Sequence, residues 1–243
     1  MWQVELRADA EQIARFRAQA PAEHLGIRFT ESGDVWLLES DAICAATDAK
    51  SAIDAGNLLV DQLNFAASLS RPGHKAVRQA SAVIDEYGRR SAFVTAQTAV
   101  VIAIAGTATI STGTPPTSRP RTVAELIADL GPIVPAIERV RVAWERDRSP
   151  VGLYKIFEII RDQAGKGPCG PVNLVGAREV SRFTSSANHP EATGELARHA
   201  VSRDHPPKDP MTAVEMSLFI ADVIRRWLRC LAVQHQIPLE APA

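Results

Sequence analysis

Short apolar and β-branched runs, separated by turn-forming residues, characterise the first hundred residues of the chain. A helix fits 9–19, and apolar residues spaced three and four apart predict a long helix over 45–69 that is buried on one side. A β-rich stretch follows over 76–111, with a turn at 86–89. Three further strands are predicted, over 2–8, 26–31 and 35–39, the last two joined by a hairpin turn at Ser32-Gly33-Asp34.

The pattern changes to helical periodicity after residue 120. Thr122 with Glu125, and Thr212 with Glu215, form capping boxes, in which the threonine hydroxyl and the glutamate carboxylate each accept a hydrogen bond from the other's backbone amide. Ser149-Pro150 marks another helix start, and a further helix is predicted over 174–187. The stripes predicted to lie in the core are Ile133, Ile137, Val140 and Trp144; Leu153, Ile156, Phe157 and Ile160; and Val214, Leu218, Ala221, Ile224, Leu228 and Leu231.

These two patterns predict an α+β fold class in two parts. Residues 1–111 form a small mixed α/β domain, an antiparallel sheet with one long helix. Three prolines among small polar residues make 112–120 a linker, because they disfavour both helix and central strand. Residues 121–235 form an all-α helical bundle, in which 153–160 and 214–231 pack together, and 236–243 form a tail.

The net charge, the cysteines and the apolar segments identify no partner but indicate where in the cell the protein is located. A net charge of -1 gives no global basic field for nucleic acid. The three cysteines, Cys44, Cys169 and Cys230, are too widely spaced for a disulfide framework or a C-x-x-C metal site, which favours a reducing cytoplasm. The N-terminus lacks an apolar signal core, and the most apolar stretch, 99–108, is too short to span a bilayer. We therefore expect a cytoplasmic protein without a membrane partner.

Candidate chemistry is concentrated between residues 182 and 205. An arginine can bind phosphate or carboxylate, and a histidine can transfer protons near neutral pH. Spacings of seven, as between Arg182 and His189 or between Arg198 and His205, place two side chains on one helical face, although Pro190 disfavours helix at His189. The catalytic candidates are Arg198, His199 and His205, and the binding candidates are Arg182, Asn188, His189 and Arg203.

The stretch from Arg198 to His205 contains an arginine, a polar residue and a later histidine, and in this it is similar to the motif of HEPN domains. These domains are helical bundles found in RNases of toxin and antiviral systems. The resemblance covers about 122–231. It implies a motif that lies across a homodimer interface and cuts RNA without metal. Arg198 would then stabilise phosphate charge, and His199 or His205 would act as acid or base in attack by the 2′-hydroxyl. Many relatives of that fold only bind partners.

The same region also allows a structural role, a metal site or a reactive thiol. Arg198 and His199 could cap the preceding helix, since cationic side chains satisfy its last carbonyls. A metal site of His189, His199 and His205 with Asp204 or Glu195 has spacings of ten and six, which do not match helical ligand signatures, so no metal or other cofactor is expected. Cys169 could be a reactive thiol.

The last predicted helix carries a second candidate surface. Arg225, Arg226 and Arg229 lie beside Trp227, a combination that could bind phosphate and stack on a base. A solvated helix face with a partly buried tryptophan is the alternative interpretation of the same four residues.

The sequence favours a non-enzymatic interaction module that dimerises through its helical bundle. A metal-independent RNase is the alternative, and a metal-dependent hydrolase is the third hypothesis. The candidate partners are a second copy of the chain and RNA, while the sequence identifies no protein partner.

Overall fold

The computed structural model describes residues 1–20, 26–71, 73–78, 80–93, 119–194 and 207–241. The fold class is α+β, with a five-stranded antiparallel sheet in the N-terminal half and mostly helices in the C-terminal half. The chain divides into two compact units, Met1–Ala128 with Glu240–Ala243, and Asp129–Leu239. Residues 94–118, which include the predicted last strands and most of the predicted linker, lie outside the described residues.

The sheet of the first unit consists of β1 Gln3–Leu6, β2 Arg28–Ser32, β3 Val35–Glu39, β4 Ala82–Ile84 and β5 Arg90–Ala92. The strand order is β2-β3-β1-β4-β5, and every pairing is antiparallel. The predicted hairpin is confirmed: Ser32 pairs with Val35, and Gly33 has a φ of 59°, which glycine adopts without strain.

Helices α1 (Ala10–Gln19) and α3 (Ala49–Ser70) pack on each other, and α3 also packs on β1 and β4. The long helix predicted over 45–69 begins at Ala49, after its capping residue Asp48, and a separate short helix, α2 (Asp41–Cys44), precedes it. The contact with the sheet is close at Gly56, where an added Cβ would lie 2.6 Å from Val4 Cγ2. Only glycine allows this approach without a shift of the helix.

The capping box predicted at Thr122 is present at the start of helix α4 (Val123–Leu130). The Glu125 carboxylate accepts the Thr122 amide at 2.7 Å and binds the Arg119 guanidinium with both oxygens, at 2.8 and 3.0 Å. Arg119–Pro120 forms strand β6, which pairs antiparallel with β7 (Glu240–Ala241), so the expected C-terminal tail contributes a strand. The division between the two units lies within α4.

The second unit is a helical bundle. Its helices are α5 Ala136–Arg146, α6 Pro150–Ala164, α7 Pro171–Val175, α8 Ala177–Asn188, α9 Pro190–Thr193 and α10 Ala213–Gln234. Helix α6 packs against α5, α8 and α10, which confirms the predicted packing of 153–160 against 214–231. Phe183 on α8 lies between Phe157 and Phe219, with ring centroids 5.5 and 5.0 Å away.

A disulfide joins Cys169, just before α7, to Cys230 on α10. The prediction that the cysteines form no disulfide is therefore wrong: the two are 61 residues apart, and only the packing of α7 on α10 brings their Cα atoms to 5.6 Å. Cys44 is the free cysteine. Cytoplasmic location, which rested on the cysteine pattern, stays a prediction. Of the helices in the described part of the chain, none has the length and apolar character to cross a bilayer.

Candidate functional site

The structure divides the candidate residues into two groups. Arg198, His199, Arg203 and His205 lie within 195–206, outside the described residues. The other three candidates, Arg182, Asn188 and His189, lie on the C-terminal half of α8 and at the N-cap of α9.

The Arg182 guanidinium is engaged with acceptors at the start of α10. Its Nε donates to the Asp209 carbonyl oxygen at 3.0 Å and lies 2.9 Å from Asp209 Oδ2, while an Nη atom donates to Glu215 Oε1 at 3.1 Å. Hydrogen bonding to Glu215, with the charge of Asp209 added, raises the pKa of Arg182. Glu215 is also the third residue of the predicted capping box, which is present with Thr212. Arg182 therefore ties α8 to the cap of α10.

His189 is buried, with 6% of its surface exposed. It does not share a helical face with Arg182, because α8 ends at Asn188 and His189 has extended backbone before Pro190, as the effect of proline on its neighbour predicts. Its Nδ1 accepts the Glu191 amide at 3.2 Å, so it caps α9.

Asn188 presents a polar atom that the described residues leave unsatisfied. Its Oδ1 is buried and has no hydrogen-bond partner in the described part of the chain. A buried acceptor without a partner costs about 1–3 kcal/mol, which makes this amide a point at which a donor would stabilise the protein.

Sequence reasoning missed Ser186, which is fully buried on α8. Its hydroxyl donates to the Arg182 carbonyl oxygen at 2.8 Å and accepts the Met211 amide at 2.8 Å. Serine within a helix often donates to the carbonyl four residues earlier, so the spacing from Arg182 was a weak signal. Ser186 and Arg182 together hold the segment before α10 against α8.

The N-terminal half of α10 exposes two large aliphatic side chains. Val214 is 64% exposed and Leu218 is 46% exposed, so their prediction as core residues is wrong, as it is for Ile133 in the turn before α5, which is 53% exposed. The other four residues of the predicted stripe, Ala221, Ile224, Leu228 and Leu231, are buried as predicted. The buried side of α10 also includes Met216, Ile220, Val223, Trp227 and Ala232.

We define the outward face of α10 as Val214, Leu218, Asp222, Arg225 and Arg229. Successive members are three or four residues apart and lie on one side of the helix. The sequence did contain a signal that this side of the helix is exposed. The side that carries Val214 and Leu218 continues into the charged Asp222, Arg225 and Arg229, which is typical of a helix surface in contact with solvent.

The arginines of α10 do not combine with Trp227 as a stacking platform. Trp227 is fully buried, so the prediction that it could stack on a base is wrong. Arg226 binds Asp222 at 2.7 Å and donates to the Leu174 carbonyl oxygen of α7 at 3.1 Å. Arg225 lies 3.4 Å from the same Asp222 carboxylate.

Two further alternatives concern metal and thiol chemistry. Within the described ranges, no three His, Cys, Asp or Glu side chains lie close enough together to hold a metal ion. Of the five metal candidates, His189 alone lies in those ranges. Cys169 is not a reactive thiol in this structure, because its sulfur is bonded to Cys230.

The chain matches no protein-family model, no curated protein and no solved structure at a significant level. The resemblance to HEPN domains therefore rests on residues 198–205 and on the helical bundle.

Proposed function

We propose that the chain is a non-enzymatic interaction module with a HEPN-like helical unit that binds a second copy of itself. The observation that carries this proposal is the exposure of Val214 and Leu218, one helical turn apart on the same side of α10. Exposed apolar side chains that adjoin one another are a feature of protein–protein interaction sites, whereas single exposed ones are common on any surface.

The rigidity of α10 supports an interaction role. The helix begins at a complete capping box, its other side is buried in the bundle, and a disulfide fixes Cys230 near its end. A partner that binds such a helix does not have to order it first, so little of the binding free energy is lost to conformational entropy.

The described candidate residues support a structural role in place of a catalytic one. Arg182 is bound to Asp209 and Glu215, and it would have to leave both acceptors to contact a phosphate. The buried His189 uses Nδ1 to cap α9. Both side chains stabilise the bundle in the positions where they lie.

Metal-independent RNA cleavage is the second candidate function. It rests on the sequence of Arg198, His199 and His205 and on its similarity to the HEPN motif. Asn188 adds one observation, since its buried Oδ1 is an acceptor without a partner among the described residues, at the end of α8, and α9 lies between α8 and this motif in the chain.

The test combines light scattering at low and high protein concentration with incubation of an end-labelled RNA panel in chelator. We expect a dimer at high concentration and intact RNA. Leu218→Glu should be monomeric, whereas Val142→Glu, which changes an equally exposed (46%) aliphatic side chain on α5, should dimerise like the wild type.

Chelator-resistant cleavage that is lost in Arg198→Ala would instead establish the RNase. Stoichiometric bound zinc with metal-dependent hydrolysis would favour the third hypothesis.

A further inference from the structure

The charges of α10 are separated along the helix. Its two acidic residues, Glu215 and Asp222, both precede its three arginines, Arg225, Arg226 and Arg229. The part of α10 that carries Glu215 and Asp222, with the apolar Val214 and Leu218, is its acidic half, and the part that carries Arg225, Arg226 and Arg229 is its basic half. Within one chain Glu215 also binds Arg182, and Asp222 also binds Arg225 and Arg226.

An antiparallel pair of such helices brings unlike ends together. The acidic half of one copy then faces the basic half of the other, and the arrangement repeats about a two-fold axis, as in most homodimers. A parallel pair would place arginines against arginines. The charges of the outward face are thus complementary to those of a second copy in the antiparallel orientation.

The apolar residues fit the same arrangement. In an antiparallel pair, Val214 and Leu218 of each copy lie toward the end of the other copy that carries Arg225 and Arg229. Arginine side chains have apolar stems that pack on aliphatic residues while the guanidinium remains hydrated. Arg229 is exposed and has no ion-pair partner within the described residues, so it is available to a carboxylate of another molecule.

We propose that two copies of the chain associate by antiparallel pairing of the outward faces of α10, with acidic and basic halves in contact. This inference rests on the self-association proposed above and specifies its surface and orientation. RNA fits the face less well, because Asp222 lies on it beside the arginines and would repel phosphate.

The experiment uses two charge variants of the full chain. Arg225→Glu/Arg229→Glu makes the face acidic throughout, and Asp222→Arg makes its centre basic. We expect sedimentation velocity to show that each variant alone self-associates with a dissociation constant raised about tenfold or more, because like charges then face each other. A mixture of the two variants, with one labelled, should form the heterodimer more tightly than either variant forms its own dimer.

The control is Arg139→Glu/Arg178→Glu, which makes the same change in net charge at two exposed arginines on α5 and α8. It should dimerise like the wild type. If the wild type dimerises but both charge variants do so equally well, or if their mixture shows no preference for the heterodimer, the antiparallel α10 pairing is wrong while self-association stands. If the wild type is monomeric at every concentration, the proposed function itself is wrong.

The variants are checked for folding by circular dichroism and thermal unfolding before the comparison. The altered side chains are partly or fully exposed, so the fold should be retained. Arg229→Glu alone is the reserve variant if the double substitution lowers stability, and it should weaken self-association in the same direction.

Discussion

The Ser186 hydroxyl on α8 accepts a hydrogen bond from the backbone amide of Met211 at 2.8 Å, across 25 residues of sequence. This contact fixes the chain just before the cap of α10. Because both groups are buried, the amide has no water to replace the serine. Ser186 is therefore one of the contacts, with Arg182 and the disulfide at Cys230, that position α10 in the bundle.

We predict that Ser186→Ala lowers the free energy of unfolding by about 1–3 kcal/mol, because the Met211 amide becomes a buried donor without an acceptor. The measurement is chemical denaturation of the full chain. Ser185→Ala is the matched control, since Ser185 is exposed on the same helix, and it should change stability by less than about 0.5 kcal/mol. Equal effects of the two substitutions would contradict the role of the buried hydrogen bond.

The ion pair between Arg182 and Glu215 should be energetically coupled. Both Arg182→Met and Glu215→Gln should lower the melting temperature, and the double variant should lose less than the sum of the single losses, because either change removes the same contact. The measurement is a double-mutant cycle by thermal unfolding. Strict additivity would show that the two side chains act independently.

The disulfide between Cys169 and Cys230 predicts a defined thiol count. The unfolded, unreduced chain should titrate with one thiol, from Cys44, and the reduced chain with three. Cys169→Ser/Cys230→Ser should lower the free energy of unfolding by about 4 kcal/mol, since the bridge closes a loop of 61 residues. Cys44→Ser is the control and should retain the bridge. Three thiols in the unreduced chain would contradict the bond.

Glu125 predicts a pH dependence of stability. Burial disfavours its charged form, but hydrogen bonds from Arg119 and Thr122 outweigh burial and lower the pKa of the carboxyl below its ordinary value. Because the folded-state pKa is below the unfolded-state pKa of about 4.3, the charged carboxylate stabilises the folded protein at pH values above about 4.3. This stabilisation is lost as the pH falls through the folded-state pKa.

Glu125→Gln should therefore lower the free energy of unfolding by about 2 kcal/mol near neutral pH, where the carboxylate is fully charged. The difference from the wild type should shrink as the pH falls below about 4. Denaturation curves over that pH range provide the measurement. A difference that stays constant with pH would show that the charge of Glu125 contributes nothing.

Local chemistry was predictable from the sequence, whereas contacts between distant segments were not. The capping boxes at Thr122 and Thr212 follow from residues three apart, and both are present. The disulfide joins residues 61 apart, and no sequence spacing indicates it. Arg182 illustrates the same limit, because its type suggested phosphate binding while its partners lie 27 and 33 residues further along the chain.

The burial of α10 shows a different limit. Helical periodicity correctly predicted an amphipathic helix, but several registers of apolar residues fit the helix between residues 213 and 234, and the sequence does not state which side meets the bundle. Of the six residues of the predicted stripe, Ala221, Ile224, Leu228 and Leu231 are buried, whereas Val214 and Leu218 are exposed. Neighbouring helices selected the side that carries Met216 and Trp227, and this selection is a property of tertiary packing.

Sedimentation equilibrium of the wild-type chain over a wide range of concentrations tests the central claim most directly. Association through a specific surface predicts a reversible monomer–dimer equilibrium, in which the average mass rises to twice the monomer mass and no further, and in which Leu218→Glu shifts the equilibrium toward monomer. A single monomer mass at every concentration, or an equilibrium unchanged by Leu218→Glu, would contradict the claim that the helical unit binds a second copy through α10.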